Sequence, residues 1–415
     1  MISRLAADLR FSAQGVDVKV AQLGWDTARR EAAAEWDATF AASPLPLSPL
    51  LVKDHASLLR SRNRAFGDLP GLFGDSLPDG WGRLLVDREL AARGKSRSSI
   101  TDLDRLSMVG QHGMGAFVYR PEEVADVENE IDLDWFENLA PELGSDTAAE
   151  DLEKMRTMAG GSHGARPKFV AQLSNDGKRL RDHRLPLENG WTHVLVKRRA
   201  ANDEVGSIEA EAAYADMARA AGIDMMPVTV LQSSSGEPYF VTERFDRSGG
   251  DRLHMQTVAA LLDVDFRSAV LDYTDLIKVV KVLTRDHRQT EEMFRRMVFN
   301  VLTNNRDDHL KNHAFLMNAD GNWRLAPAYD VSFSNGPGGE HTLLVAGEGR
   351  NPTKAHFDRV AKVAGIKPAR AAQLVTGVRE AVSDWSTHAY ARGVPTGLKS
   401  TLEAMLAERE RVTLR

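Results

Sequence analysis

Apolar and polar residues alternate over residues 16–23, VDVKVAQL, a period-two pattern that predicts a half-buried strand. Residues 81–93, within GWGRLLVDRELAARG, instead carry the 3.6-residue spacing of a helix that ends at Gly94. Between them SPLPLSPLL, residues 43–51, is apolar and proline-rich, which predicts an extended passage across a surface. Together these predict a small α+β unit of about 120 residues. The texture changes near residue 155. Short segments at 169–173, 192–197, 228–231 and 238–243 are β-branched or aromatic in part and predict strands. One helix interrupts them over 208–221, opened by Glu209 and Glu211 and closed by Gly222. From about Asp246 the pattern is mainly helical, with Phe294, Met297, Val298, Val301 and Leu302 on one face and Phe357, Val360 and Val363 on another. No internal repeat is visible.

Composition narrows the possibilities. A chain of 415 residues predicts one to three domains at about 150 residues each, and 42% hydrophobic residues are enough for a sizeable core. A disordered, collagen-like or disulfide-stapled chain is excluded. The absence of cysteine removes disulfides, thiolate zinc sites and cysteine nucleophiles. The start, MISRLAADLRFSAQG, has no apolar signal core and no run of 18 apolar residues follows, so neither a secretory signal nor a membrane span is expected, and a cytoplasmic location is. The net charge of −6 conceals an asymmetry. Residues 121–154 hold thirteen acids and one lysine, and with Pro141, Gly144 and Ser145 they predict a solvated connector between units, docking of a basic partner being the lesser reading. The mildly positive remainder lacks the basic, aromatic-interleaved block that nucleic-acid binding requires.

The chemistry concentrates after the helix ending near Leu302, where residues 304–314 read NNRDDHLKNHA. Asp307 follows an arginine and precedes Asn312 by five positions, the spacing of the protein-kinase catalytic loop H-R-D-x-x-x-x-N. Such a loop presents a carboxylate to a substrate hydroxyl and an amide oxygen to a metal ion. Asp330, in LAPAYDVSFSN, is placed like the metal-binding aspartate of D-F-G, on what reads as a short strand leaving Pro327, with Val331 and Ser332 in place of Phe and Gly. Upstream, VLVKR puts Lys197 on a predicted strand, as the phosphate-pairing lysine of V-A-I-K requires. His309 and His313 stand four apart. They lack the glutamate of H-E-x-x-H and have a lysine between them, which argues against zinc.

Gly160, Gly161 and Gly164, in AGGSHGARPKFVAQL, match neither standard nucleotide-loop pattern. Glycines nonetheless let backbone N–H groups approach phosphate, and Arg166 and Lys168 add cations.

LPDGWGRLL at 77–85, GARPK at 164–168, IEAEAAYADMARAAGI at 208–223, ERFDR at 243–247, NRDDHLKNHAF at 305–315 and LAPAYDVS at 325–332 resemble, in order, the HipA toxin kinases of bacterial toxin–antitoxin systems. The resemblance implies an α+β, two-lobed protein-kinase-like fold, with a strand-rich N-lobe, a helical C-lobe and an N-terminal α+β accessory domain. The corresponding boundaries are 1–120 for the accessory domain, 121–154 for the acidic connector, 155–245 for the N-lobe and 246–415 for the C-lobe. It further implies an ATP- and Mg²⁺-dependent serine/threonine kinase, with Asp307 catalytic and Asn312 and Asp330 the metal ligands. Lys197 would bind phosphate, Lys168 would close the glycine loop, and Glu243 and Phe245 would form the adenine hinge. His309 and Lys311 would support the phosphates. The expected partners are a HipB-like helix-turn-helix antitoxin, with DNA engaged only through it, and a protein substrate, an aminoacyl-tRNA synthetase and glutamyl-tRNA synthetase first. Where the family's autophosphorylated serine is expected stands Gly161, leaving Ser162 as the nearest hydroxyl. Two other readings stay open: a small-molecule phosphotransferase, and a non-catalytic protein that strengthens its partner on operator DNA.

Overall fold

The computed structural model describes the chain except for residues 1, 62, 123–125, 140–147, 162, 163, 165 and 415. It is an α+β protein whose contacts divide into two compact units, each gathered from separated stretches of sequence. The first comprises Met1–Asn202, Leu231–Asp265 and Leu316–Asn322, and the second Asp203–Val230, Phe266–Phe315 and Trp323–Arg415.

In the first unit, five antiparallel strands lie in the spatial order Leu59–Arg60, Glu31–Trp36, Val18–Asp26, Arg4–Leu9 and Phe117–Arg120. The strand predicted over 16–23 begins at Val18, and Val16 is exposed. Its alternation breaks because the register with Arg4–Leu9 slips between Ala7 and Asp8, a bulge that lets Val20 and Ala21 both turn inward. Residues 43–51 do not run extended across a surface: Leu47 N donates to Leu45 O and Leu51 N to Ser48 O in successive turns, and Leu47, Ser48 and Leu51 are buried.

A second sheet in this unit runs in the order Leu180–Asp182, Lys168–Ser174, Trp191–Arg198 and Pro238–Glu243. The helix Gly80–Ala92 carries Trp81 and Leu85 into the same core as Phe169, Val196 and Tyr239 of that sheet. The N-terminal region and the second sheet therefore share one hydrophobic interior.

The acidic segment does more than connect. Ile131, Phe136 and Leu152 are buried, the first two in this shared core, and the Phe136 ring meets Phe169 edge-on at 4.8 Å. Two helices, Leu133–Leu139 and Ala149–Ala159, form where composition alone suggests solvated chain. Among the described residues of this segment every carboxylate is exposed or half-buried, while Ile131, Phe136 and Leu152 turn inward.

The second unit is mainly helical. Ser207–Ala220 is nearly all small or apolar on its buried side, and Gly222 follows with φ 77°, a left-handed position that glycine adopts without a Cβ penalty. Tyr214 on this helix donates to Thr303 O at 3.0 Å and packs edge-on against Trp385. Tyr273–Thr284 and His287–Leu302 start at Asp272 and Asp286, whose carboxylates accept from Thr274 N and Arg288 N. Helices Lys354–Ala364, Pro368–Ser383, Trp385–Ala391 and Thr396–Thr413 complete the body. Among the described residues no helix is long and apolar enough to cross a membrane.

The shared core makes Trp81 a test of architecture. Trp81→Ala is expected to cost about 3–5 kcal/mol and to loosen the second sheet together with the N-terminal region in one denaturant transition. Unchanged amide protection at Phe169 and Val196 in that variant would show the two cores to be separate.

Candidate active site

The helix His287–Leu302 ends where Thr303 turns its hydroxyl back to Phe299 O at 2.7 Å and Asn304 takes a left-handed φ of 54°. The chain then enters the loop that bears the two adjacent aspartates, which point to opposite environments.

Asp308 is 1% exposed. One of its oxygens accepts from Tyr273 Oη at 2.8 Å and His341 Nδ1 at 2.9 Å, and the other from Thr342 N at 2.9 Å and Leu343 N at 3.3 Å. Tyr273 in turn accepts from Asn300 Nδ2 at 2.9 Å, and Asn300 Oδ1 accepts from Asn305 Nδ2 at 3.0 Å. Burial, and then the neighbouring Asp308 charge, push the Tyr273 phenol well above its ordinary range, so it remains a donor. Arg306 adds a second clamp by donating to the carbonyls of Gly339 and Arg350. His313 packs edge-on against Tyr273, and burial pushes its imidazole down to about 4.

Asp307, one residue earlier, keeps 59% of its side chain exposed. Asn312 Nδ2 donates to the Asp307 carbonyl at 2.7 Å, closing the five-residue loop and leaving the amide oxygen as the acceptor end. His309 Nε2 stands 3.8 Å from Asp307 Oδ1. His309 and Lys311 flank Phe266, the first with ring centroids 4.7 Å apart and the second with Nζ 5.2 Å from the ring.

Asp330 is not on a strand. In its segment Ala328 bridges Met225 and Ser334 bridges Asn305, but Asp330 itself has φ 51°, a conformation aspartate tolerates because its short polar side chain can bond locally. The preceding Tyr329 donates its hydroxyl to Lys311 O at 2.5 Å, tying this segment to the loop. Asn305, Asp308, Asn312, His313 and Asp330 consequently line one small cleft. Carboxylate and amide oxygens are the hard ligands that Mg²⁺ prefers. Among the described residues there is no group of three or more His, Cys, Asp or Glu that could hold a metal ion.

In the first unit, Lys168 and Lys197 are directly opposite on neighbouring strands, and both are buried. Cross-strand partners in that register share one face of the sheet, which brings the two cations together there. Lys197 Nζ also lies 5.5 Å from the Phe240 ring. Glu243 ends its strand opposite Val194, and Phe245 follows in a turn, both half-buried. Ser162 lies outside the described residues.

Some structural members are not singled out by spacing. Asp308, Tyr273 and His341 hold the loop, and only the doubled aspartate in RDDH hints at them. Asp246 is likewise an anchor: its buried carboxylate meets Arg244 at 2.8 Å, Arg247 at 2.7 Å and Gly115 N at 2.6 Å. Burial opposes its charge, but the two guanidiniums prevail and hold it well below the usual carboxylate range.

An exposed aspartate joined to an asparagine five residues on, an aspartate on the cleft that this asparagine lines, and two adjacent lysines on a separate sheet are what an α+β protein of kinase-like fold carries here. Family models agree: the HipA N-terminal domain matches residues 16–120 and the HipA-like C-terminal domain residues 160–385. The chain belongs to the HipA family. A relative in Sinorhizobium fredii named "Putative kinase Y4mE" is 27% identical over 301 residues, spanning 69% of this chain and 68% of that protein. A Haemophilus influenzae protein named "Putative kinase" is 29% identical over 141 residues, 30% of this chain and 41% of its own length. The fold is similar to the Shewanella oneidensis HipA solved with HipB and operator DNA, with TM-score 0.72 and 16% identity over 98% of this chain and 97% of that one.

Two outcomes follow from the buried network. Asp308→Ala should cost about 3–5 kcal/mol, since it strands several donors, whereas Asp307→Ala should change stability by no more than about 0.5 kcal/mol in urea titrations. His313 stays neutral in the folded protein down to about pH 4 but binds a proton when unfolded below its ordinary 6.5. Acidification between those values favours unfolding by about 1.4 kcal/mol per pH unit for this group, and above 6.5 it contributes no slope. Stability against pH should therefore fall less steeply over that window in His313→Gln than in the wild type.

Proposed function

We propose that the chain is an ATP-dependent serine/threonine protein kinase that acts as a growth-arresting toxin. The observation that carries this reading is the pairing of two aspartates with opposite surroundings: Asp308 is buried to fix the loop, and Asp307 is left exposed at its tip. An exposed carboxylate held by a rigid loop is suited to accept the proton of a substrate hydroxyl as that oxygen bonds to the γ-phosphorus and ADP departs. Asn312 and Asp330 would hold Mg²⁺, which neutralises phosphate charge. Lys197 and Lys168 would engage the phosphates, and the backbone around Glu243 and Phe245 would read the adenine. His309 and Lys311 would support the phosphates from beside Phe266.

Membership of the HipA family, and likeness to a HipA solved with HipB and operator DNA, support a HipB-like helix-turn-helix antitoxin as the neutralising partner, with DNA reached through it. The same resemblance makes an aminoacyl-tRNA synthetase the substrate to test, beginning with glutamyl-tRNA synthetase. A phosphate carrying about −1.5 to −2 charges in a pocket shaped for ATP would repel that nucleotide. Ser162, among the loop glycines, is the hydroxyl proposed for self-modification.

The test is to incubate the purified chain with ATP and a bacterial lysate and to map new phosphosites by mass spectrometry. Phosphoserine or phosphothreonine on a protein is expected, with Asp307→Asn and Asp330→Asn each slowing transfer by about 10²–10³-fold or more without unfolding the chain. Wild-type turnover in both variants would remove the site assignment, and ATP consumption without any phosphoprotein would point to a small-molecule phosphotransferase.

A further inference from the structure

Asp79 occupies the N-cap position of the helix Gly80–Ala92, yet its side chain makes no cap hydrogen bond to that helix. An aspartate at this position ordinarily accepts from the second or third helical N–H. Here the carboxylate Oδ1 instead accepts from the backbone N–H of Gly164, eighty-five residues away in sequence. The bond is reciprocated: Trp81 N, two residues after Asp79, donates to Gly164 O at 3.2 Å. Both backbone groups of one loop glycine are thus held by two residues, Asp79 and Trp81, at the start of one helix. That helix is fixed in turn, because Trp81 and Leu85 are embedded in the core beneath the sheet that bears Lys168 and Lys197.

Gly164 suits this point because its φ of 105° strains any residue with a Cβ, and the site of that missing Cβ lies only 2.3 Å from Lys168 Nζ, the movable end of the lysine. The tether therefore places the end of the glycine loop directly against a phosphate-binding candidate. Helix-capping stability has been given up to do so, which an N-terminal region serving only as an attached accessory would not require.

We infer that Asp79 is a positioning residue for the glycine loop, through which the N-terminal region sets the geometry of the nucleotide phosphate site. The inference rests on the kinase reading for its effect on ATP, but the tether itself does not. Asp79 touches no reacting atom. It acts by holding Gly164, the described residue at the end of the loop, beside Lys168.

The experiment compares the full-length chain with Asp79→Ala, Asp79→Ser and Asp79→Asn in two measurements: KM and kcat for Mg²⁺·ATP, and hydrogen exchange at the Gly164 amide. Serine can still cap the helix but is too short to reach Gly164, so it keeps the test open should alanine fail to fold. Asparagine retains an acceptor oxygen and should rescue. Asp37→Ala is the control, because Asp37 caps the helix Ala38–Ala42 in the same unit through Thr39 N and Phe40 N. Alanine and serine are expected to raise KM for ATP about tenfold with a much smaller change in kcat, and to speed exchange at Gly164. Asparagine and the Asp37 control should leave both near the wild-type values. Unchanged exchange and KM in the serine variant, or an equal shift in the Asp37 control, would overturn the inference. A wild-type chain that neither binds nor consumes ATP would instead defeat the kinase reading, while exchange at Gly164 would still decide whether Asp79 holds the loop.

Discussion

The candidate active site depends on one buried negative charge. A carboxylate as enclosed as Asp308 is tolerable only when its lone pairs are met, and here two side chains and two backbone N–H groups meet them. Those four donors come from the start of the helix Tyr273–Thr284 and from residues 341–343, so satisfying one side chain draws three distant pieces of the chain to a single point. The loop between Asp307 and Asn312 inherits its shape from that convergence. Asp307 faces outward because its neighbour is committed inward. The chemistry proposed for this site needs a carboxylate that is rigidly placed yet hydrated, and adjacency to a fully satisfied buried partner provides both properties.

The first unit meets a different requirement. Two lysines, Lys168 and Lys197, stand side by side on neighbouring strands, and both are buried. Around them the packing is close: Trp81, Phe136, Phe169 and Tyr239 fill one interior, and the buried Arg244–Asp246–Arg247 cluster donates to the carbonyls of Gly113 and Gly115. The region matched by the HipA N-terminal domain model is thus built into the body that carries the lysines. This gives a physical reason for the segment LPDGWGRLL to stand among the shared sequence features.

Elements with strong periodicity were legible in the sequence: Gly80–Ala92, Ser207–Ala220 and His287–Leu302 fall within a residue or two of the expected helices wherever both limits were stated. The short strands were legible as well, since Phe169 and Val196 sit in runs rich in β-branched and aromatic residues. The loop chemistry could be read because a local spacing, aspartate to asparagine, carries its own mechanical meaning. What could not be read depends on long-range satisfaction. Nothing around Asp308 indicates which of two adjacent aspartates will be buried, because its partners are about 35 residues away on both sides. The strand expected at Asp330 is a loop, since its backbone is set by Tyr329 reaching Lys311 and by a left-handed φ, neither of which leaves a pattern in hydropathy. The acidic segment misleads for the opposite reason. Thirteen carboxylates dominate its composition, while the few residues that determine its packing, Ile131, Phe136 and Leu152, are too sparse to register.

The interleaving of the two units along the chain has a consequence for how the protein is made. A ribosome delivers the sequence from its N-terminus, and domains generally fold as units once their parts have emerged. The Asp307 loop reaches the tunnel exit well before His341, Thr342 and Leu343, and until those residues arrive its buried carboxylate has lost three of its four donors. The helices that complete the same unit come later still, up to Thr396–Thr413. Chains that end before residue 341 therefore lack an organised loop, and the site takes shape only after residues 341–343 have emerged. For a protein whose proposed activity is harmful to its own cell, this order of assembly acts as a timing device: the loop is made first, and residues made later arm it.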